Sequence, residues 1–275
     1  MLEEKLTQLE QIFSQMSKAI VAFSGGVDSA LVCYLAYKIL GDRAIAITAA
    51  SPSLLQEELE EAKNQAKLIG IKHEVIETQE MQNPNYSSNP VNRCYFCKSE
   101  LHDHLKKISQ QRGYPYVVDG VNLDDLSDYR PGVQAARERG VRSPLAEVGM
   151  SKVQVRELSQ KLGLPWWDKP ASPCLSSRFP YGEQITQAKL ERVGKAEIYL
   201  RSLGYRNVRV RSQDDVARIE LPAEAIKDFI NKEDIAALSS KFHSFGFVYI
   251  TQDHEGYRIG KLNQMLNLQT MKNFG

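Results

Sequence analysis

Short strand-like runs alternate with longer segments of helical periodicity through the first part of the chain. Four of these runs have the length and residue types of buried strands. They cover residues 19–23, 44–49, 73–77 and 116–120. Apolar residues recur at helical spacing between them, as from Leu54 to Leu68. Strands separated by helices require crossover connections, so the pattern predicts an α/β domain with a parallel sheet whose ligands bind at the carboxyl ends of the strands.

The pattern changes after residue 182. A helix is predicted from about Thr186 to Leu203, and two alternating runs after it predict a hairpin around residues 212–215. Two helical segments and a strand at residues 247–250 follow. This order predicts a small α+β domain with an antiparallel sheet. The predicted domain ranges are 1–182 and 183–275.

The first strand runs directly into the turn Ser24-Gly25-Gly26-Val27-Asp28-Ser29, and a helix follows it. Glycines let the backbone approach a polyanion, and the N–H groups of a first helical turn can donate to phosphate oxygens. The spacing is neither that of the P-loop nor that of the dinucleotide-binding turn. The turn therefore predicts a phosphate site of another kind, in which Asp28 is suited to hold Mg²⁺; helix capping is the alternative interpretation of Asp28. The residues expected to donate to phosphate are Ser24, Gly25, Gly26 and Ser29.

This hexapeptide resembles the pyrophosphate loop of the ATP pyrophosphatases, or PP-loop proteins. Their fold is the adenine nucleotide alpha hydrolase-like fold, and they cleave ATP between the α and β phosphates to adenylate a substrate. The resemblance implies ATP as the cofactor. An acidic run on the next predicted helix is interpreted as a solvated face. Its members are Glu57, Glu58, Glu60 and Glu61.

Composition and charge bear on the partners and the cellular location of this protein. The chain has 275 residues and a formal net charge of +1, so no general field attracts nucleic acid. The first ten residues lack the pattern of a signal peptide, and no apolar window reaches the length of a membrane span. We therefore expect a cytoplasmic protein without a membrane or nucleic-acid partner.

Three of the four cysteines form a candidate metal site. Cys94 and Cys97 are three positions apart, at a turn or helix start where both thiols can meet one metal, and Cys174 is the third. Three thiolates can hold a [4Fe-4S] cluster and leave one iron open for sulfide. A zinc site completed by His102 or His104, and a redox pair with an unrelated third thiol, remain as alternatives.

The fourth cysteine, Cys33, lies in an apolar helical stretch and is predicted to be a buried, inert thiol.

Arginines alternate along the predicted hairpin. Arg209 and Arg211 share one face, and Arg218 can join them from the partner strand. Such a group predicts a site for a nucleotide phosphate. Neutralisation by carboxylates is the alternative, and the candidates are Glu197, Glu220 and Asp228.

Several motifs, in order along the chain, resemble the LarE family, the ATP-dependent sulfur transferases that make the nickel-pincer cofactor of lactate racemase. The motifs are Asp119-Gly120, Asp128-Tyr129-Arg130-Pro131-Gly132, residues 142–145, residues 169–182 and the hairpin from Val208 to Pro222. The resemblance runs from about residue 19 to about residue 263. It implies that ATP and Mg²⁺ adenylate the carboxylates of pyridinium-3,5-biscarboxylic acid mononucleotide, and that sulfur then replaces oxygen.

The resemblance also implies residue roles. Gly120 joins the cofactor-binding residues, and Cys174, Ser177 and Arg178 form a catalytic segment. The charge of Arg178, which follows two serines after Cys174, predicts that it binds a substrate carboxylate or phosphate; a surface ion pair is the alternative. The best-known members sacrifice the sulfur of one cysteine near this segment. The additional Cys94/Cys97 pair resembles the branch in which three cysteines hold a [4Fe-4S] cluster, so we expect sulfide or another sulfur donor, and a homo-oligomer.

Two other functions are compatible with this sequence. Related PP-loop enzymes thiolate tRNA with a cysteine-bound cluster, although the neutral net charge and the lack of an evident RNA-binding appendage weigh against that function. A non-catalytic nucleotide sensor or cluster carrier would bind ATP without turnover.

Overall fold

The computed structural model describes residues 2–127, 130–258 and 261. The motif residues Asp128 and Tyr129, and the end of the resemblance near residue 263, lie outside the described residues. Two compact units divide the chain. The first unit contains described residues of 2–80 and 92–172, and the second contains 81–91, 173–258 and 261.

The helices are α1 (Leu2–Ser14), α2 (Val27–Leu40), α3 (Gln56–Ile69), α4 (Pro84–Ser87), α5 (Arg93–Arg112), α6 (Pro131–Glu138), α7 (Pro144–Glu147), α8 (Lys152–Lys161), α9 (Gln187–Ser202), α10 (Ala223–Lys232) and α11 (Ile235–Ser244). The strands are β1 (Ala19–Ala22), β2 (Ala44–Ala50), β3 (Lys72–Glu77), β4 (Tyr116–Val118), β5 (Arg209–Gln213), β6 (Val216–Glu220) and β7 (Tyr249–Gln252). No helix among these described segments is long and apolar enough to cross a bilayer.

The first unit is built on a four-stranded parallel sheet in the order β3-β2-β1-β4. This confirms the α/β architecture predicted from the alternating pattern. Helix α2 packs into the main core and buries most of its side chains, which explains why its sequence is apolar all round. Cys33 is fully buried there, and desolvation raises the pKa of its thiol well above the usual value, as expected for an inert cysteine.

The second unit contains a three-stranded sheet in the order β5-β6-β7. Strands β5 and β6 form the predicted antiparallel hairpin, and Asp214 turns it with a positive φ of 47°. The prediction of an antiparallel sheet is wrong for the last strand, because β7 runs parallel to β6. Helices α10 and α11 lie between these two strands in sequence and provide the crossover that a parallel pair requires.

The units divide near residue 173, and the second unit also takes in residues 81–91. Hydrogen bonds explain why this earlier segment belongs there. The Tyr86 hydroxyl lies 2.6 Å from the Ser176 hydroxyl, and Asn89 Nδ2 donates to the Pro180 carbonyl at 2.7 Å. The domain ranges 1–182 and 183–275 stay a prediction, one that does not anticipate this segment.

Candidate active site

The glycine turn lies at the carboxyl end of β1 and leads into α2. Gly25 has a φ of 71°, a conformation that favours glycine, and Gly26 is the N-cap of α2. No side chain caps this helix, so the N–H groups of its first turn keep their capacity to donate to a ligand. The capping interpretation of Asp28 is therefore wrong.

Two hydroxyl groups converge on this turn. Ser24 Oγ and Ser29 Oγ lie 3.1 Å apart, and Ser29 Oγ donates to the Gly26 carbonyl at 3.1 Å. The Gly26 N–H points to Ser24 Oγ at 3.4 Å, a long contact. Hydroxyls and backbone N–H groups of this kind are the neutral donors that phosphate oxygens accept from.

Two side chains bind the carbonyl of the Gly25–Gly26 peptide, on the side opposite to the Gly26 N–H. The Gly25 carbonyl accepts hydrogen bonds from Lys169 Nζ and Gln65 Nε2, both at 3.1 Å. In a trans peptide the C=O and the following N–H point in opposite directions, so this contact fixes where the Gly26 N–H points. Glu61 and Glu58 hold the Lys169 ammonium at 2.9 Å and 3.2 Å.

This lysine contact corrects one sequence-based interpretation. The sequence pattern predicts a solvated face for the acidic run on α3, but Glu58 is only partly exposed and, like Glu61, pairs with Lys169. Glu57 and Glu60 are exposed, as expected. The pattern of α3 carries no signal for a lysine that follows it by more than a hundred residues.

Gly120 follows β4 and packs against the start of α2. A Cβ atom at this position would stand 2.6 Å from the Ser29 backbone nitrogen, a distance that no real Cβ tolerates. The preceding Asp119 is buried, which raises the pKa of its carboxyl, and it accepts a hydrogen bond from the Ser143 hydroxyl at 2.7 Å. The structure thus gives Gly120 a packing function beside the glycine turn.

Asp28 is the acidic residue of the turn, and two side chains contact it. Asn122 Nδ2 donates to Oδ1 at 3.2 Å, and the Lys152 ammonium pairs with Oδ2. A single carboxylate fits a Mg²⁺ ion that takes its other ligands from nucleotide phosphates and water. Within the described ranges, no group of three or more His, Cys, Asp or Glu side chains is arranged to hold a metal ion.

Cys94 and Cys97 lie in the first turns of α5, and three-residue spacing puts them on neighbouring positions of the helix surface. Cys94 is exposed and Cys97 partly exposed, and neither of them nor Cys174 forms a disulfide. Cys94 and Cys97 belong to the first unit, whereas Cys174 belongs to the second.

The two histidines of the zinc alternative differ from each other. His102 is buried, which lowers its pKa to about 3, and its Nδ1 is without a hydrogen-bond partner among the described residues. His104 is partly exposed, and its Nε2 lies 4.0 Å from a carboxylate oxygen of Glu100.

Cys174 directly precedes a short 3-10 helix, Leu175–Arg178. Its carbonyl accepts hydrogen bonds from the Ser177 N–H at 3.0 Å and from the Ser177 hydroxyl at 2.8 Å. Arg178 Nη1 donates to the same carbonyl at 3.3 Å and to the Pro173 carbonyl at 3.0 Å. Ser177 and Arg178 therefore fix the backbone on both sides of the Cys174 thiol.

The rest of the Arg178 guanidinium is engaged by a buried glutamate. Arg178 is 1% exposed and Glu197 is fully buried, and they form a bidentate pair at 2.7 Å and 2.9 Å. Burial by itself would raise the pKa of Glu197, but the charge and hydrogen bonds of Arg178 lower it. The Val210 N–H and Arg201 also donate to Glu197, each at 3.0 Å. The sequence predicts that Arg178 binds substrate, but in the structure its donors contact Glu197 and the carbonyls of Pro173 and Cys174.

The hairpin arginines share one face, as predicted, because Arg211 stands opposite Arg218 and Arg209 lies two residues from Arg211. Arg209 is buried over the Tyr257 ring, 5.2 Å from its centroid. Arg211 Nε donates to Glu220 at 2.8 Å, and the half-exposed Arg218 lies 3.4 Å from the same carboxylate.

The alternative of neutralisation by carboxylates is confirmed for Glu220, which pairs with both Arg211 and Arg218. Glu197 instead pairs with Arg178 and Arg201, which lie outside the hairpin. Asp228 instead pairs with Lys232 at 3.1 Å on an exposed face of α10.

Comparisons with known proteins agree with this geometry. The family model described as NAD synthase matches residues 2–93. The pyridinium-3,5-bisthiocarboxylic acid mononucleotide synthase of Lactiplantibacillus plantarum is 38% identical over 99% of each chain. An uncharacterized protein from Synechocystis sp. is 63% identical over 97% of this chain and 99% of its own. A component of the glutamine-hydrolyzing GMP synthase of Sulfurisphaera tokodaii is 28% identical over 59% of this chain and 47% of its own.

The parallel sheet, the Ser-Gly-Gly turn at its carboxyl end and the matching family model define an enzyme of the ATP-using PP-loop class. Within that class, the identity over the whole length to the Lactiplantibacillus synthase is decisive. The chain belongs to the LarE family.

Proposed function

We propose that this chain is an ATP-dependent sulfur transferase that converts the carboxylates of pyridinium-3,5-biscarboxylic acid mononucleotide into thiocarboxylates. The identity of 38% over the whole chain to a synthase named for the bisthiocarboxylic acid mononucleotide carries this proposal. The N–H groups at the start of α2, which no side chain caps, support the adenylation step.

The proposed chemistry has two steps for each carboxylate. A carboxylate oxygen attacks the α-phosphorus of ATP, the bond to the bridging α–β oxygen breaks, and pyrophosphate leaves. Sulfide sulfur then attacks the acyl carbon and displaces AMP, which carries away the original carboxylate oxygen. Both steps build negative charge on phosphate oxygens, so fixed donors must face them.

The residues of the glycine turn take the nucleotide phosphates in this scheme. Ser24, Ser29 and the backbone of Gly25 and Gly26 donate to phosphate oxygens, and Asp28 holds Mg²⁺. A bound Mg²⁺ neutralises charge on the leaving pyrophosphate. Gly120 contributes by letting the backbone after β4 pack closely against this turn.

Arginines take the phosphate of the substrate. Arg211 and Arg218 share the Glu220 carboxylate, and Arg218 is half-exposed, so a mononucleotide phosphate can replace part of their contact with that carboxylate. Arg209 lies on the same face and completes the proposed phosphate site. Ser177 and Arg178 act by positioning the Cys174 backbone.

The sulfur source in this proposal is sulfide or another donor delivered through a [4Fe-4S] cluster ligated by Cys94, Cys97 and Cys174. The three-residue spacing of Cys94 and Cys97 on α5, and their partial or full exposure, support these ligands. A bound cluster supplies an open iron at which sulfide can bind. Cys174 then keeps its sulfur. The proposal includes a homo-oligomer, which light scattering tests.

The experiment uses protein purified without oxygen, the mononucleotide, ATP, Mg²⁺ and sulfide. We expect pyrophosphate release that depends on the mononucleotide, more than one turnover, and an unchanged mass of Cys174. Asp28→Asn should abolish pyrophosphate release, whereas Cys94→Ala and Cys97→Ala should abolish sulfur insertion and preserve adenylation.

Three outcomes would contradict the proposal. Single turnover with dehydroalanine at Cys174, indifferent to Cys94→Ala, would contradict the cluster. Stimulation by tRNA instead of the mononucleotide would contradict the substrate. ATP binding with no pyrophosphate release under any of these conditions would contradict an enzyme.

A further inference from the structure

A lysine side chain is paired with Asp28, the carboxylate to which the proposed function assigns Mg²⁺. The Lys152 ammonium pairs with Asp28 Oδ2, while Asn122 donates to Oδ1 at 3.2 Å. The Lys152 and Asp28 side chains are 33% and 20% exposed. An ion pair of this exposure is a weak interaction that solvent and other ions can replace.

The backbone of Lys152 is fixed, although its side chain is partly exposed. Lys152 is the first residue of α8, and Ser151 caps this helix in a reciprocal capping box with Gln154. The Lys152 N–H donates to Asp124 Oδ2 at 2.8 Å. The side chain can therefore change partner while its starting point stays in place.

Lys152 also stands at an unfavourable position for its charge. The first turn of a helix carries the positive end of the helix dipole, which favours acidic residues and disfavours lysine. The helix dipole and the capping box thus give no reason for a cation here. Its contact with Asp28, 124 residues away in sequence, gives one.

Asp28 cannot satisfy two cations on the same oxygens without repulsion between them. A Mg²⁺ ion that takes the carboxylate therefore displaces the ammonium. Asp28 lies in the first turn of α2, beside the uncapped N–H groups that face phosphate in the proposed function. In the proposed function ATP binds at these N–H groups, so its phosphate oxygens are anionic groups with which an ammonium released from Asp28 can pair.

We propose that Lys152 exchanges partners during the reaction. It neutralises Asp28 in the absence of nucleotide, and it binds a phosphate oxygen of ATP once Mg²⁺ takes the carboxylate. There it stabilises the charge that develops on pyrophosphate as the α–β bond breaks, and it keeps its own proton. This inference rests on the proposed adenylation function.

The test measures two properties that should change in opposite directions in Lys152→Met. Mn²⁺ replaces Mg²⁺ in an electron paramagnetic resonance titration without nucleotide, and pyrophosphate release is measured separately. We expect about threefold tighter Mn²⁺ binding, because the competing cation is gone. We expect pyrophosphate release to fall about a hundredfold, because one charged donor to the transition state is lost.

Two variants make the test specific. Lys152→Arg keeps the charge and should retain wild-type Mn²⁺ affinity and part of the activity. Lys161→Met removes a lysine from the other end of the same helix, where it pairs with the exposed Glu3, and should leave both properties unchanged. Unchanged Mn²⁺ affinity in Lys152→Met, or pyrophosphate release at the wild-type rate, would overturn the exchange.

Failure of the proposed function is distinguishable from failure of this inference. If the wild-type protein releases no pyrophosphate with the mononucleotide, the proposed function fails. The Mn²⁺ titration, repeated with a non-hydrolysable ATP analogue, still tests the exchange. Lys152→Met should then bind metal more tightly alone and the analogue about tenfold more weakly, and equal analogue affinity would overturn the exchange.

Discussion

Two ion pairs, one in each unit, both join one positive and one negative side chain but differ in their exposure to solvent. Arg178 and Glu197 are buried, bidentate and surrounded by further hydrogen bonds, including one from the Val210 N–H. Lys152 and Asp28 are partly exposed, and Asp28 has one other contact, from Asn122, among the described residues. The first pair replaces the hydration of both ions with fixed partners, whereas the second leaves water and other ions access to both charges.

The comparison distinguishes a charged side chain that holds a segment in place from one that can change its partner. Breaking the buried pair leaves an uncompensated charge in the interior, so Arg178 cannot leave Glu197 to bind a ligand without a large penalty. The exposed lysine loses little free energy when it leaves its carboxylate. A planar guanidinium with several donors suits the first role, and a compact ammonium on a flexible stem suits the second.

The largest effect is expected from the buried pair. Glu197→Gln removes the charge that compensates Arg178 and should lower the free energy of unfolding by about 3–5 kcal/mol. Urea unfolding measures this value. Asp228→Asn, which breaks the exposed pair with Lys232, is the control and should change the value by about 0.5 kcal/mol or less. Equal effects of the two variants would remove the distinction between buried and exposed pairs.

An intermediate effect should appear in the pH dependence of stability, through a buried group with no opposite charge bound to it. Burial lowers the pKa of His102 to about 3, while the unfolded chain protonates near the ordinary value of 6.5. The unfolded state therefore binds the proton first, and stability falls as pH drops below about 6.5. The slope contributed by one such group is at most about 1.4 kcal/mol per pH unit.

Urea unfolding between pH 7 and pH 4 tests this slope. His102→Leu should flatten it, because the group that resists protonation is gone. His104→Leu, on the exposed side of α5, is the matched control and should leave it unchanged. A slope that persists in His102→Leu would assign the pH dependence to other groups.

The smallest effect on stability is expected at the lysine that contacts the glycine turn. Lys169→Met removes the ammonium from the Gly25 carbonyl and from the carboxylates of Glu58 and Glu61, but keeps the length of the side chain. Stability should change by about 1 kcal/mol, since Gln65 still donates to that carbonyl and both carboxylates keep some access to water. ATP affinity, measured by calorimetry, should fall about tenfold because the Gly26 N–H is less well oriented.

Lys67→Met, on the exposed side of α3, controls for the loss of a lysine and should not change ATP affinity. Wild-type affinity in Lys169→Met would show that Gln65 alone is sufficient to orient the turn.

The sequence by itself determined the features that depend on neighbouring residues. Strand-length runs separated by helical periodicity specify the parallel sheet of the first unit, because each crossover follows from chain connectivity. The glycine turn, the buried Cys33 and the common face of the hairpin arginines follow from local period and residue type.

Only the tertiary structure decided which charged side chains meet. Lys152 contacts Asp28, Lys169 contacts Glu58, and Arg178 is buried with Glu197, although a local pattern shows only charged residues on polar faces. The direction of β7 was likewise decided by the crossover through α10 and α11. Periodicity encodes which face of an element is buried, but a partner on another element is fixed only when the fold brings the two elements together, whether they are 19 residues apart, as Arg178 and Glu197 are, or more than a hundred.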